Sequence, residues 1–222
     1  ALLAGVLAGM AAGYITGLLH TIFKIPAILS GILTQLGLYS VNMRIMGKSN
    51  QAVSVDKYAL IVSIRFVSES IVISLIFIAA VIILLYVFFG TEIGSAIRAT
   101  GCNQNMSRAQ GINTGRCIRL GLVLGNGLVG LAGGLIAQYQ GNADVNSGRG
   151  AIVIGLAAVI IGEVVFGSRH NFAFKLATSV FGAIIYYIVI QIVLTLGLKP
   201  DYLKLFSAII VAIFMALPAI QG

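Results

Sequence analysis

Long apolar runs broken by short polar stretches dominate the chain, and seven can be drawn: about 1–19, 25–42, 68–89, 120–138, 150–166, 176–196 and 205–220. Each should be a helix, because backbone N–H and C=O groups in hydrocarbon must pair within their own segment. At 1.5 Å per residue the 68–89 run reaches about 33 Å, enough for a hydrocarbon core of about 30 Å. The 150–166 run reaches only about 25 Å and holds Gly155, Gly162 and Glu163, which predicts a broken or partly protein-buried helix. The pattern therefore predicts an all-α, polytopic membrane protein of about seven transmembrane or partly re-entrant helices, forming one domain over 1–222.

Between the third and fourth runs lies a polar island, residues 98–119, reading RATGCNQNMSRAQGINTGRCIR, with four Arg and no acid. Charged residues make up only 9% of the chain, so this concentration is expected to face water and a partner protein. The island is expected to be a loop. Glycine is frequent, 27 of 222 residues against an average of about 7%, and part of it is spaced for close helix contact. Gly121 with Gly125, and Gly130 with Gly134, form two such pairs, so the helix after the island should pack tightly.

Composition narrows the classes further. Hydrophobic residues make up 59% and mean hydropathy is +1.05, which leaves no water-soluble half. The net charge of +8 is spread over several connections, so nucleic acid is not an expected partner, whereas the lipid bilayer is. With the island placed inside, basic residues divide seven against seven between the two sides, and charge alone leaves the orientation open. Arg44, Lys48, Lys57 and Arg65 crowd the 43–67 connection, which must be partly buried or interfacial unless the second helix is re-entrant. The chain opens at Ala1 inside an apolar run, so further helices are expected upstream.

Candidate chemistry is sparse. Cys102 and Cys117 lie on the island without further ligands, His20 and His170 stand alone, and no metal or cofactor is expected. Nucleotide-binding, metalloprotease and serine-hydrolase motifs are absent from the sequence, so an enzyme is not expected. Polar residues within the apolar runs, chiefly Gln35, Asn42, Asn126, Gln138 and Gln191, either tie helices together or line a translocation path. Glu69 and Glu163 are the carboxylates nearest to bilayer depth, and in an ion-gradient-driven secondary transporter either would be the coupling group.

The run RATGCNQNMSRAQGIN, with a Gly-rich helix after it and then GLAAVIIGEVVFGSR, resembles the permease subunits of ATP-binding-cassette importers of the branched-chain amino acid and ribose type. Arg98, Ala99, Gly101, Asn103, Arg108, Gly111 and Ile112 match their RAxGxNxxxARxxGI pattern. The stretch LLHTIFKIPAILSGILTQLGLYSVNMRIMG is similar to an aromatic amino acid subgroup, particularly that of tryptophan. The resemblance implies a multi-pass protein of a bacterial-type plasma membrane, paired with a second permease subunit, identical or different. It also implies separate cytoplasmic ATPase subunits and an extracytoplasmic substrate-binding protein. The solute would be a small polar one, an aromatic or branched-chain amino acid, with a sugar or nucleoside as the alternative. ATPase coupling would fall to two cytoplasmic loops: 98–119, through Arg98, Gly101, Asn103, Arg108, Gly111 and Ile112, and 167–175, through Gly167, Arg169 and Lys175. The second loop is expected to seat deeper, and Asn126, Gln138, Gln35 and Glu163 are the candidates for the path.

Overall fold

Helix caps and glycine spacing, more than burial of large side chains, organise the computed structural model, which describes residues 1–53, 61–65, 67–148, 151–166 and 172–195. Six of the seven predicted segments are helices; the seventh, 205–220, lies outside the described residues. The chain divides into two compact units, Ala1–Val145 and Asn146–Gly222.

The first unit contains α1 (Leu2–Thr21), α2 (Ala27–Met46), α3 (Val67–Gly90), α4 (Glu92–Cys102), α5 (Gln104–Ala109) and α6 (Thr114–Gln140). Among the described residues, α1, α3, α6 and the later span Phe172–Ile192 are long and apolar enough to cross a membrane. The 27 residues of α6 extend about 40 Å. At 20 residues α2 is as long as α1, but it carries Thr34, Gln35, Asn42 and Arg44.

The core of this unit is a seam between antiparallel α1 and α6. Gly5, Gly9, Gly13 and Gly17 recur every fourth residue along one face of α1. A Cβ on Gly9 would collide with the carbonyl oxygen of Asn126, one on Gly13 with that of Leu122, and one on Gly130 with that of Gly5. Only glycine lets two backbones approach this closely, and in lipid such contact replaces the hydrophobic drive that water would supply. Of the predicted pairs, Gly130 and Gly134 lie in the seam, with Gly134 against Leu2. Gly121 meets only a side chain of α4 and Gly125 meets nothing within 4 Å, because they lie off the contact face. A polar link adds α2 to the seam, with the Thr16 hydroxyl donating to Thr34 Oγ1 at 2.9 Å.

The far end of α6 is capped by the segment that follows α2. Gly47 and Gly141, with φ of 70° and 68°, end α2 and α6 in the left-handed conformation. Beyond them β1 (Asn50–Ala52) pairs antiparallel with β2 (Asn142–Asp144) in the register Gln51 opposite Ala143. This short ladder is the departure from an all-α pattern among the described residues. Gln138 Oε1 accepts from Ile61 N–H at 3.2 Å, and Ile64 N–H donates to Tyr139 O at 3.2 Å. Ser70 in the first turn of α3 donates to Ser63 O at 2.6 Å and accepts from Ser63 N–H, which fixes where α3 begins. The charged 43–67 connection is thus in part an ordered cap, and α2 runs the length of the unit from the island end to this one. Lys57 lies outside the described residues.

In the second unit α7 (Ala151–Phe166) and α8 (Phe172–Thr195) form an antiparallel pair. The expected break in α7 is absent: the helix is continuous, since glycine lowers helix propensity without removing a hydrogen bond. Gly162 instead permits contact, its would-be Cβ colliding with Thr178 O, while one on Gly182 would collide with Ala158 O. Ala157, Ile161 and Tyr186 are buried around that crossing, so the helix is partly protein-buried as expected.

Candidate functional site

The polar island is a chain of capped helices, which corrects the expectation of a loop. Thr91 caps α4, its Oγ1 accepting from Gly94 N–H at 3.2 Å. Asn103 closes α4 and opens α5 at once, in an extended conformation (φ −154°, ψ 106°), with its side chain accepting from Met106 N–H at 3.0 Å. Behind α5 the chain turns through Gly111 at φ 79°. Gly111 N–H donates to Arg108 O and Ile112 N–H to Ser107 O, both at 3.0 Å, the two bonds of a Schellman stop. Asn113 then caps α6, Oδ1 accepting from Arg116 N–H at 3.1 Å. Low hydropathy along these residues is thus no sign that helix is lacking, and α6 begins at Thr114, six residues before the apolar run.

This geometry presents α5 as a short projecting helix. All of its side chains are exposed except that of Ser107, whose hydroxyl turns back to donate to Asn103 O at 2.9 Å. Met106 at its middle is 62% exposed, a large apolar side chain displayed on a polar element. One side-chain bond fastens α5 to α6: Arg108 Nε donates to Thr114 Oγ1 at 2.9 Å, and Thr114 is buried. From Thr114, α6 continues directly into the glycine seam. Arg119 packs its stem against Gly17 and donates from Nε to Gly115 O at 3.2 Å, which keeps its charge at the helix end.

The remaining predicted residues are dispersed. Arg98 and Gly101 are exposed on α4, and a Cβ on Gly101 would meet nothing within 4 Å. Gly167 and Arg169 lie outside the described residues, and Lys175 sits in α8 rather than in a loop, because that helix begins at Phe172. Along the expected path, Asn126 donates to Leu122 O of its own helix at 2.9 Å and Gln138 belongs to the far cap. Gln35 is exposed on α2, and Glu163 is exposed in the last turn of α7. Glu69 is exposed in the first turn of α3. Cys102 and Cys117 are free thiols, the first exposed and the second buried.

A cleft of about 310 Å³ that the apolar pattern does not announce lies beside the island, lined by the α1–α2 turn, α5 and the start of α6. Its polar lining comprises His20, Thr21, Lys24, Gln104, Arg108 and Thr114. The polar insert HTIFKIP between two apolar runs was a legible signal for it.

Residues 1–217 match the family described as branched-chain amino acid transport system / permease component. The chain is 40% identical over 216 residues to a tyrosine transport system permease protein of Clostridioides difficile (strain R20291), covering 97% of this chain and 72% of that one. It is 32% identical to an uncharacterized protein of Rickettsia prowazekii (strain Madrid E), over all of this chain and 79% of the relative. A fructose import permease protein of Bifidobacterium longum (strain NCC 2705) is 29% identical over 64% of this chain and 40% of its own length. No solved structure gives a significant match.

Proposed function

We propose, from the premise that this chain belongs to the permease family of branched-chain amino acid transport systems, that it carries an amino acid, an aromatic one first, through the membrane. As a member of that family it is a multi-pass transport subunit of an ATP-binding-cassette importer, and its ATPase is a separate chain. Family membership also brings a substrate-binding protein in general terms. The tyrosine transport relative supports the amino acid reading, since it matches nearly the whole chain. The fructose relative supports a sugar as the second reading, over a shorter span and at lower identity. Uptake of labelled tyrosine by the assembled importer, competed with fructose and with branched-chain amino acids, tests the choice. Competition by fructose alone would replace the first reading with the second.

In this reading α5 is the element that meets the ATPase. One observation carries it: α5 projects with Met106 exposed, yet Arg108 and Thr114 fasten it to a helix that shares a backbone-close seam with α1. A push on α5 then moves α6 and α1 as one body, and two alternative packings of such bodies would open a translocation cavity to either side in turn. The side bearing the island is cytoplasmic in this arrangement, and a second permease copy, identical or different, completes the cavity. The ion-gradient alternative through Glu69 or Glu163 gives way to family membership. Replacing Met106 by Asp should leave the permease in the membrane and strip it of its ATPase on purification. Retention of a fully coupled ATPase by that variant would remove α5 from the role.

A further inference from the structure

Beside α5, but facing the α1–α2 turn, the cleft of about 310 Å³ draws two cationic side chains together, Lys24 and Arg108, with no carboxylate in its lining. It is large enough for a small ligand or a headgroup. Lys24 is the one non-glycine residue with positive φ among the described residues, at 56°, a conformation that L-residues rarely adopt outside tight turns. The turn around it is pinned by His20, whose Nδ1 lies 2.8 Å from Ile25 O. Arg108 is held through Nε by Thr114, which leaves its terminal guanidinium nitrogens available for a further acceptor. The same turn carries Ile22 and Phe23, and the first turn of α2 carries Ile28; they are 58%, 68% and 82% exposed. The cleft thus lies beside a chain reversal that carries exposed apolar side chains, at the end of a helix long and apolar enough to cross a membrane.

We propose that this cleft binds the phosphate-bearing headgroup of an anionic phospholipid, with its acyl chains lying along Ile22, Phe23 and Ile28. The apolar margin selects this occupant. A free phosphate has nothing to place against those side chains, and a carboxylate from the ATPase would reach the cleft from water rather than along them. Lys24 and Arg108 hold the phosphate, with the positive end of α6 beside them. The lipid would bridge the α1–α2 turn to the element that carries α5, making the lipid composition of the membrane a regulator of how firmly α5 is seated.

The purified permease–ATPase complex, exchanged against vesicles of phosphatidylcholine with a minority of phosphatidylglycerol, provides the test by native mass spectrometry. Wild type should retain phosphatidylglycerol in preference to phosphatidylcholine, also in excess inorganic phosphate. Lys24→Gln should lower that retention about fivefold, the scale of one basic residue at an anionic surface. Lys24→Arg should restore it, and Arg108→Gln should lower it independently should Lys24→Gln not fold. Equal retention of the two lipids by wild type overturns the proposal, as does unchanged retention in both glutamine variants. Inorganic phosphate bound with the same Lys24 dependence in the absence of phosphatidylglycerol retention overturns it in favour of a free anion. Loss of the ATPase subunits from Lys24→Gln with lipid retention intact overturns it in favour of a protein carboxylate.

Discussion

The glycines of the α1–α6 seam and those of the island are the same residue serving opposite purposes. In the seam no atom fits: a Cβ on Gly9, Gly13 or Gly130 would run into the backbone of the facing helix. On the island a Cβ on Gly101 or Gly111 would meet nothing, and Gly111 is there for its positive φ. The seam is therefore specified by volume and the island by backbone conformation. Substitutions in the first should register as lost fold, and those in the second as lost coupling.

The largest expected effect is Gly13→Leu. Overpacking ordinarily destabilises by about 1–3 kcal/mol, and more where backbone rather than a side chain must yield, so this variant should lose its monodisperse peak in detergent size-exclusion chromatography. Next comes Gly111→Val, in which a β-branched residue is forced to positive φ, a strain of about 1–2 kcal/mol. It should remain in the membrane with a lowered midpoint of thermal unfolding and ATP hydrolysis no longer tied to uptake. Asn103→Ala should forfeit about 1 kcal/mol of capping, measurable as a smaller shift in the same midpoint. At the small end Gly125→Ala and Gly101→Ala should each leave stability unchanged or raise it by up to about 1 kcal/mol, since alanine favours a helix more than glycine does. A loss of ATPase coupling in Gly101→Ala without any shift would then mark a surface contacted by the partner. A destabilised Gly125→Ala would break the contrast, since it would place that glycine in a contact face.

Much of this contrast was legible in the residues. Apolar run length located six helices, and family resemblance singled out Gly101, Asn103, Arg108 and Gly111. The four-residue repeat of Gly5, Gly9, Gly13 and Gly17 was present in the sequence, but no spacing says which glycines face a neighbour. That depends on the rotation of each helix about its axis, which tertiary packing sets; Gly121 and Gly125 obey the same spacing and miss the seam. The island reads as a loop by hydropathy because hydropathy reports contact with lipid, not hydrogen bonding. Its caps, Thr91, Asn103 and Asn113, each carried the side-chain oxygen that a helix start needs. The β1–β2 ladder had no signal at all, being built from Asn, Gln, Ala and Asp, residues poor in strand propensity apart from their pairing.

The seam also joins two helices that are far apart in time. Ribosomal synthesis reaches Thr114 about ninety residues after it passes Thr21, an interval on the order of ten seconds. During that interval α1 exists with its glycine groove open to α6 while α2 and α3 are made. The groove of a newborn α1 must therefore be filled by lipid or by the insertion machinery until α6 arrives. Any truncation between these helices would leave the groove permanently vacant and mark the product for quality-control proteolysis.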